Sequence, residues 1–153
     1  MPKVKYTEGK GLHQVAGSGV DLTTEPNQLK LGKTISLTNA AKTIAATDSG
    51  STIVMAAVTT GRVITMPAAE AGLYFNVHCV DTGGNVDFEF GTSYVVGSVV
   101  DSGGEATSTD ATKSIVRVAD NAGAADSLSF VCNGTYWVVR GLAVDATKFS
   151  FVT

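Results

Sequence analysis

Charged side chains are scarce in this sequence, where Asp, Glu, Lys and Arg make up 16% of the 153 residues. An average globular protein carries about 25%. The chain also has only two histidines and two cysteines, and these side chains often act as proton shuttles, nucleophiles or metal ligands near neutral pH. We therefore expect no enzymatic activity, no metal site and no cofactor.

Long apolar runs are missing as well. No stretch approaches the ~18 apolar residues of a membrane-spanning helix, so we expect no contact with a membrane. The first residues, MPKVKYTEGKG, lack the apolar centre of a secretory signal, so we expect none. Lys and Arg form no dense patch interleaved with aromatic residues, which argues against nucleic acid as a partner. The hydrophobic fraction of 44% is nonetheless high enough for a folded core.

The charge that is present is unevenly distributed. Residues 1–42 contain six lysines and three acidic residues, whereas residues 43–153 contain five basic and eleven acidic residues. Glycines interrupt residues 1–32, and Pro2 and Pro26 disfavour a helix there. We therefore predict an extended N-terminal arm with little regular structure over residues 1–32. Its lysines either meet an acidic partner surface or keep a flexible tail in solution, and both interpretations stay open.

The arm cannot pack on itself, so its contacts are expected to be with other chains. The candidate partner-binding residues combine basic and apolar side chains. They are Lys3, Lys5, Tyr6, Lys10, Leu12 and Val15.

From residue 33 onward the sequence changes to short β-prone runs, which predict a single β domain over residues 33–153. Apolar and polar side chains alternate within them, as where Phe75 and Val77 flank Asn76. The runs cover residues 34–38, 42–46, 51–58, 62–66, 73–80, 86–90, 94–100, 114–118, 127–132, 136–140 and 148–152. Nine to eleven short strands at regular spacing are typical of an all-β fold, namely a β-sandwich or a jelly roll. The predicted core residues are Leu73, Phe75, Val77, Phe88, Phe90, Leu128, Phe130, Trp137, Val139, Phe149 and Phe151.

The segments between the runs carry turn-forming residues. Asn133-Gly134 predicts a tight hairpin with a type I′ turn, because both residues tolerate positive φ. Residues 81–85 (DTGGN) predict a second hairpin loop, and residues 120–126 a third turn. The polar stretch 101–112 predicts a long, exposed and mobile loop. The one segment compatible with a helix, residues 67–71, is long enough for at most about one turn.

A few residues could carry chemistry. Cys79 and Cys132 lie on predicted inward faces, as two reduced thiols or as one disulfide, and we favour reduced thiols because no secretory signal is expected. Asp87 and Glu89 share one face of a strand. Paired carboxylates can hydrolyse glycosidic bonds, but a solvated strand face is the commoner role of such a pair. His78, on a polar face, would need a Ser or Asp partner for catalysis.

The aromatic residues allow two interpretations. Tyr94, Tyr136 and Trp137 could line a sugar-binding surface, but we favour Trp137 in the core and the tyrosines on a sheet face. Asn133-Gly134-Thr135 matches a glycosylation sequon and is better interpreted as the hairpin turn.

The linear order of three motifs resembles that of a known family. The motifs are TDSGSTIV at residues 47–54, RVITMPAAEAGLYFNV at residues 62–77 and DSLSFVCNGTYW at residues 126–137. Together they resemble small β-domains of tailed-bacteriophage virion proteins, especially capsid decoration (cement) proteins and head or tail fibre tips, over about residues 43–141.

This resemblance implies a jelly-roll-like or tulip-like fold, self-association into homotrimers and no catalysis. It implies a place on the capsid surface of the virion, bound to the major capsid protein, after assembly in the host cytoplasm. The family has no catalytic residues to transfer. What transfers are structural roles for Pro67, Gly72, the Asn133-Gly134 turn and Trp137.

Three functions therefore compete. The leading hypothesis is a structural virion protein that decorates and stabilises the capsid through contacts present only in the mature shell. The main alternative is a fibre or receptor-binding domain that contacts host glycans through exposed loops such as residues 101–112. The third is a glycan hydrolase using Asp87 and Glu89, which would need both carboxylates in a cleft, ~5–9.5 Å from a partner acid.

Overall fold

The computed structural model describes residues 3–7, 11–16, 33–55, 59–80 and 83–153. Contacts divide the chain into two compact units, Met1–Leu31 and Gly32–Thr153. The described residues of the second unit, called the body below, form twelve strands and two single 3-10 turns. The predicted all-β fold is therefore confirmed. Within the described residues, no helix is long and apolar enough to cross a membrane.

The strands of the body are short, as expected from the spacing of turn residues. They are β3 (Thr34–Ser36), β4 (Lys42–Thr43), β5 (Thr52–Met55), β6 (Arg62–Thr65), β7 (Tyr74–Cys79), β8 (Val86–Glu89), β9 (Val95–Asp101), β10 (Ala106–Lys113), β11 (Ile115–Val118), β12 (Ser127–Cys132), β13 (Trp137–Ala143) and β14 (Phe149–Val152). The 3-10 turns are Ala46–Asp48 and Ala146–Lys148.

These strands form two mixed sheets. The larger sheet has the order β10-β9-β13-β12-β7-β5-β3, and the smaller sheet has the order β14-β11-β8-β6-β4. In the larger sheet β12 is antiparallel to both β7 and β13, while β13 is parallel to β9. Parallel neighbours need a long crossover, and the crossover from β9 to β13 contains three strands. The chain passes through β10, leaves the larger sheet to form β11 in the smaller sheet, and returns in β12. This alternation between sheets gives a sandwich of the jelly-roll-like kind.

An aromatic cluster joins the two sheets. Phe130 of the larger sheet contacts Phe88 of β8 in the smaller sheet and Phe90, which directly follows β8, with ring centroids 5.3 and 5.2 Å apart. Trp137 contacts Phe90 at 5.2 Å and Phe75 at 6.0 Å. Such tilted and edge-on pairs add to the stabilisation from burial alone. Ten of the eleven predicted core residues are buried, and the eleventh, Phe151, packs partly buried against them.

A buried carboxylate fixes the predicted turn at residues 120–126. Asp126 is 1% exposed, and its Oδ2 accepts the N–H of Gly123 at 2.8 Å while its Oδ1 accepts the N–H of Val144 at 2.7 Å. Each carboxylate oxygen therefore has a donor, which offsets the cost of burial. The turn is thereby tied to the end of β13.

The hairpin predicted at Asn133-Gly134 is present, but the predicted type I′ turn is wrong. The connection between β12 and β13 spans four residues, 133–136, and Gly134 alone among them has a positive φ, +97°. The side-chain Oδ1 of Asn133 accepts the N–H groups of Thr135 and Tyr136, at 2.9 and 2.8 Å. This side-chain acceptor closes the loop without the second left-handed residue that a two-residue type I′ turn requires.

The long mobile loop predicted at residues 101–112 is also wrong. β9 continues to Asp101, and β10 begins at Ala106, so that only a four-residue turn separates them. β10 is an edge strand with alternating exposed and half-buried residues, mostly Thr, Ser and Asp. Its lack of apolar side chains concealed it, because an edge strand that contributes little to the core needs no apolar face.

One further prediction fails on connectivity, and the segment compatible with a helix is not helical. Residues 81–85 do not close a hairpin, since β7 lies in the larger sheet and β8 in the smaller one; residues 81 and 82 lie outside the described residues. Residues 67–71 form no helical turn. Instead, the N–H of Leu73 bonds the carbonyl of Glu70 at 3.3 Å, and Gly72 between them takes a positive φ of +91°. This tight turn leads into β7.

The N-terminal unit differs from the prediction of little regular structure. Its described residues form two antiparallel strands, β1 (Lys3–Thr7) and β2 (Gly11–Ala16), with Lys5 opposite His13 and Tyr6 opposite Leu12. The glycine-rich composition did not reveal the pairing of β1 with β2, because backbone pairing of two strands requires no apolar alternation. That this segment contacts other chains stays a prediction.

Candidate functional site

Tyrosine and valine side chains form an exposed band on the outer face of the larger sheet. Tyr74, Val131, Val138 and Val96 occupy one row across four neighbouring strands. The band, called the tyrosine–valine band below, consists of Tyr74, Tyr94, Val96, Val131, Tyr136 and Val138. Tyr74, Tyr94 and Val131 are each 48% exposed and Tyr136 37%. Contiguous exposed apolar side chains of this kind mark surfaces that contact another molecule.

Polar side chains occupy the next two rows of the same face. Ser127 and Ser129 of β12 lie between longer side chains of the neighbouring strands, which leaves an open groove of about 320 Å³. The side chains that surround it on the outer face are called the serine groove below. They are Asn76 and His78 on β7, Ser127 and Ser129 on β12, and Arg140 and Leu142 on β13.

The polar groups of the serine groove have few partners in the body. The guanidinium of Arg140 makes no hydrogen bond or ion pair with the described residues, and the same holds for the side chains of Asn76 and His78. Ser129 Oγ donates to the carbonyl of Arg140 over a long 3.4 Å. No carboxylate lines the groove within the described residues. Its hydrogen-bonding capacity therefore faces outward.

The outer face of the smaller sheet has the opposite character. Arg117 on β11 donates from Nε and Nη2 to the two carboxylate oxygens of Asp87 on β8, both at 2.7 Å. The hydrogen bonds and the charge of Asp87 raise the pKa of Arg117 further. Glu89 lies on the same face, two residues along. Such internally paired charges are typical of a strand face in water.

The edges of both sheets are protected against pairing with another strand. β3, β4 and β14 have only three, two and four residues. The longest edge, β10, has eight residues, but its pairing with β9 shifts between Asp110 and Lys113, and Ala111 there has φ +70°. Short strands, irregular pairing and edge charges all oppose strand addition.

The structure places the residues predicted to carry chemistry as follows. Asp87 and Glu89 lie on the outer face of the smaller sheet and do not line the serine groove, so this geometry gives no support to the hydrolase hypothesis. His78 lies opposite Ser127 in the sheet register, but no hydrogen bond joins them and no carboxylate among the described residues orients the imidazole. A catalytic triad needs that third group.

Cysteine and aromatic predictions are resolved clearly. Cys79 and Cys132 are buried, reduced thiols, as predicted. Burial, and then the charge of Asp126, raises the pKa of Cys79 to about 12, so its thiol is unreactive at neutral pH. Trp137 is fully buried and cannot contact a sugar. Among the described residues, no three His, Cys, Asp or Glu side chains cluster as metal ligands would.

The candidate arm residues divide between the two N-terminal strands. Lys3, Lys5 and Tyr6 lie on β1, and Leu12 and Val15 lie on β2. Lys10 lies outside the described residues. Sequence reasoning missed the serine groove, because its side chains come from three strands that no local motif connects.

Comparison with known proteins adds no family. No family model matches the sequence, and no curated protein matches it either.

Proposed function

We propose that this chain is a structural virion protein that decorates and stabilises a phage capsid. In this proposal it forms a homotrimer, and its N-terminal arm docks on the major capsid protein. The observation that carries the proposal is the tyrosine–valine band, since a monomer gains nothing from three half-exposed tyrosines beside three valines. The resemblance of the motifs at residues 47–54, 62–77 and 126–137 to decoration proteins supplies the virion context.

The contrast between surfaces supports self-association through this band. The outer face of the smaller sheet pairs its charges internally, and the strand edges are short or irregular. The tyrosine–valine band has no such protection, since its tyrosines and Val131 are 37–48% exposed. Closed symmetry turns an apolar patch into a defined contact and prevents open-ended aggregation. Three-fold positions on a capsid then favour a trimer.

The alternative of a glycan-binding fibre or receptor-binding domain loses two of its supports. Residues 106–113 are a strand rather than an exposed loop, and Trp137 lies in the core. Tyr94 and Tyr136 stay exposed, so the tyrosines themselves do not separate the two functions. Whether the chain occupies the capsid or a tail fibre is the decisive difference.

Analytical ultracentrifugation of the purified full-length chain tests the trimer. We expect a trimeric mass at micromolar concentration, and a shift to monomer in Tyr94→Asp, because a carboxylate within the band would be desolvated without a partner. Tyr94 is half-exposed, so this variant should keep its fold, which circular dichroism checks. Ser150→Asp places the same charge at an exposed position of the smaller sheet and should stay trimeric. A wild-type monomer, or equal dissociation of both variants, would contradict the proposal.

Phage heads test the virion part separately. We expect the added chain to bind heads that lack it and to raise their temperature of rupture, because a ligand that binds only the intact shell stabilises that state by mass action. Low-resolution imaging of the labelled chain would show its position. Label confined to the tail would favour the fibre alternative.

A further inference from the structure

The serine groove consists of outward-facing side chains that do not contribute to the core. Its strands, β7, β12 and β13, lie in the middle of the larger sheet, and their outward side chains alternate with the buried core. Ser127 and Ser129 form a low floor because their side chains are small, and longer side chains on β7 and β13 form the two walls. Leu142, 65% exposed, adds one apolar surface to the wall.

The charge of the groove indicates an anionic ligand. Arg140 is its one permanently charged side chain, and within the described residues no acidic group lines it. The comparison with Arg117 is informative, since that guanidinium holds the carboxylate of Asp87 through two hydrogen bonds at 2.7 Å. Arg140 presents the same planar fork without an internal carboxylate, and a ligand carboxylate fits that fork with two parallel hydrogen bonds.

The backbone of the groove favours a saccharide over a peptide. An extended peptide usually adds to an open sheet edge through main-chain hydrogen bonds. β12 is paired on both sides, with β7 and β13, so it offers no such edge. Recognition must use side chains alone, and Asn76, Ser127 and Ser129 supply an amide and two hydroxyls. These groups suit a ligand that is itself dense in hydroxyl groups.

We propose that the serine groove binds a carboxylate-bearing oligosaccharide. Arg140 receives the carboxylate, and Asn76, Ser127 and Ser129 bond the sugar hydroxyls. This inference does not depend on the capsid role. The groove lies one and two rows along the strands from the row of Tyr74 and Val131, so assembly through the tyrosine–valine band and sugar binding use different rows of the face.

Titration calorimetry with an oligogalacturonate of defined length tests the proposal. The methyl ester of the same oligosaccharide is the matched probe, because it keeps the sugar and removes the charge. We expect saturable binding of the acid, and at least about tenfold weaker binding of the ester and of the Arg140→Gln variant, in keeping with the strength of a charge-assisted hydrogen bond. Asn76→Ala should also weaken binding.

Two controls make the result decisive. Lys42→Gln removes an exposed cation from β4 of the other sheet and should bind the acid like the wild type. Tyr94→Asp should dissociate the trimer while leaving Arg140 and the serine groove intact, because Tyr94 lies two rows from the row of Ser98 and Arg140, so the two proposals fail separately. No saturable binding, equal binding of acid and ester, or an equal loss in Lys42→Gln and Arg140→Gln would overturn the saccharide site. Tighter binding of an oligoglutamate would assign the groove to an acidic peptide instead.

Discussion

The chemistry of individual side chains in this protein depends on which face of a sheet they occupy. Arg117 and Arg140 both lie on outer strand faces, yet the first pairs with Asp87 and the second faces the serine groove. Asp126 is buried, but two backbone donors satisfy it. Cys79 is 1% exposed beside that carboxylate, and no cation among the described residues contributes to its pKa or would stabilise a thiolate. It serves the core as a small apolar side chain.

The thiol of Cys79 makes stability depend on alkaline pH. The ordinary pKa of the thiol is near 9.0, and in the folded chain it is raised to about 12. Between these values the unfolded chain loses the proton and the folded chain keeps it, so the contribution of Cys79 is complete below pH 9 and declines as the pH rises toward 12. The decline is at most about 1.4 kcal/mol per pH unit. Urea unfolding of the wild type and Cys79→Ala at several pH values measures it.

The variant is expected to start less stable, because a cavity replaces the sulfur, but to lose less stability between pH 9 and 11. Parallel pH curves for the two chains would show that Cys79 ionises normally. Alkylation provides a second check, since the native chain should react with iodoacetamide at Cys79 only after unfolding.

At the scale of single elements, the contact between β9 and β13 depends on one glycine. Gly97 lies opposite Val139 in this parallel pair and has φ +134°. A Cβ atom at Gly97 would lie 1.9 Å from the carbonyl oxygen of Val139, which is far inside van der Waals contact. Two elements that are distant in sequence can approach only because residue 97 lacks a side chain.

We expect Gly97→Ala to lower the free energy of unfolding by roughly 2–5 kcal/mol, since steric overlap and an unfavourable φ act together. Gly104→Ala separates the two effects, because Gly104 has φ +85° and a Cβ atom there would meet no described residue within 4 Å; it should lose only about 1–2 kcal/mol. Gly123→Ala, with neither constraint, should be nearly neutral. Chemical denaturation of the three variants gives the order, and equal losses at all three positions would refute it.

The alternation of apolar and polar residues predicted most strands of the body, and it failed for the strand that lacks this alternation. β7 and β12 were found from apolar side chains on every second residue, because burial on one face imposes that period. β10 was missed since an edge strand of Thr and Ser has no apolar period. The pairing of β9 with β13 was beyond prediction, because nothing local in either strand specifies a distant parallel neighbour. The serine groove depends on this sheet order and was missed for the same reason.

At the scale of the whole molecule, the two sheets share one core but have outer faces of different character. Both inner faces supply one aromatic core, while their outer faces differ: one pairs its charges internally, and the other displays tyrosines, valines and the serine groove. A protein whose function is contact needs such a face, and a sandwich provides it without weakening the core. The net charge of −3 over the chain, with a basic N-terminal part, adds an electrostatic element to any association.

The proposed docking of the arm on a shell protein predicts a particular dependence on salt. If Lys3, Lys5 and Lys10 meet acidic groups of the shell, rising ionic strength should release the wild-type chain from phage heads, because exposed charges are screened beyond ~8 Å at physiological ionic strength. The triple variant with Ala at these three positions should bind more weakly at low salt and respond less to added salt. A control with Ala at Lys42, Lys113 and Lys148 changes the net charge equally but leaves the arm intact, so it should keep the wild-type response. Sedimentation of heads with bound chain over about 0.05–0.5 M salt measures the release, and an arm variant with the wild-type response would remove the lysines from the docking mechanism.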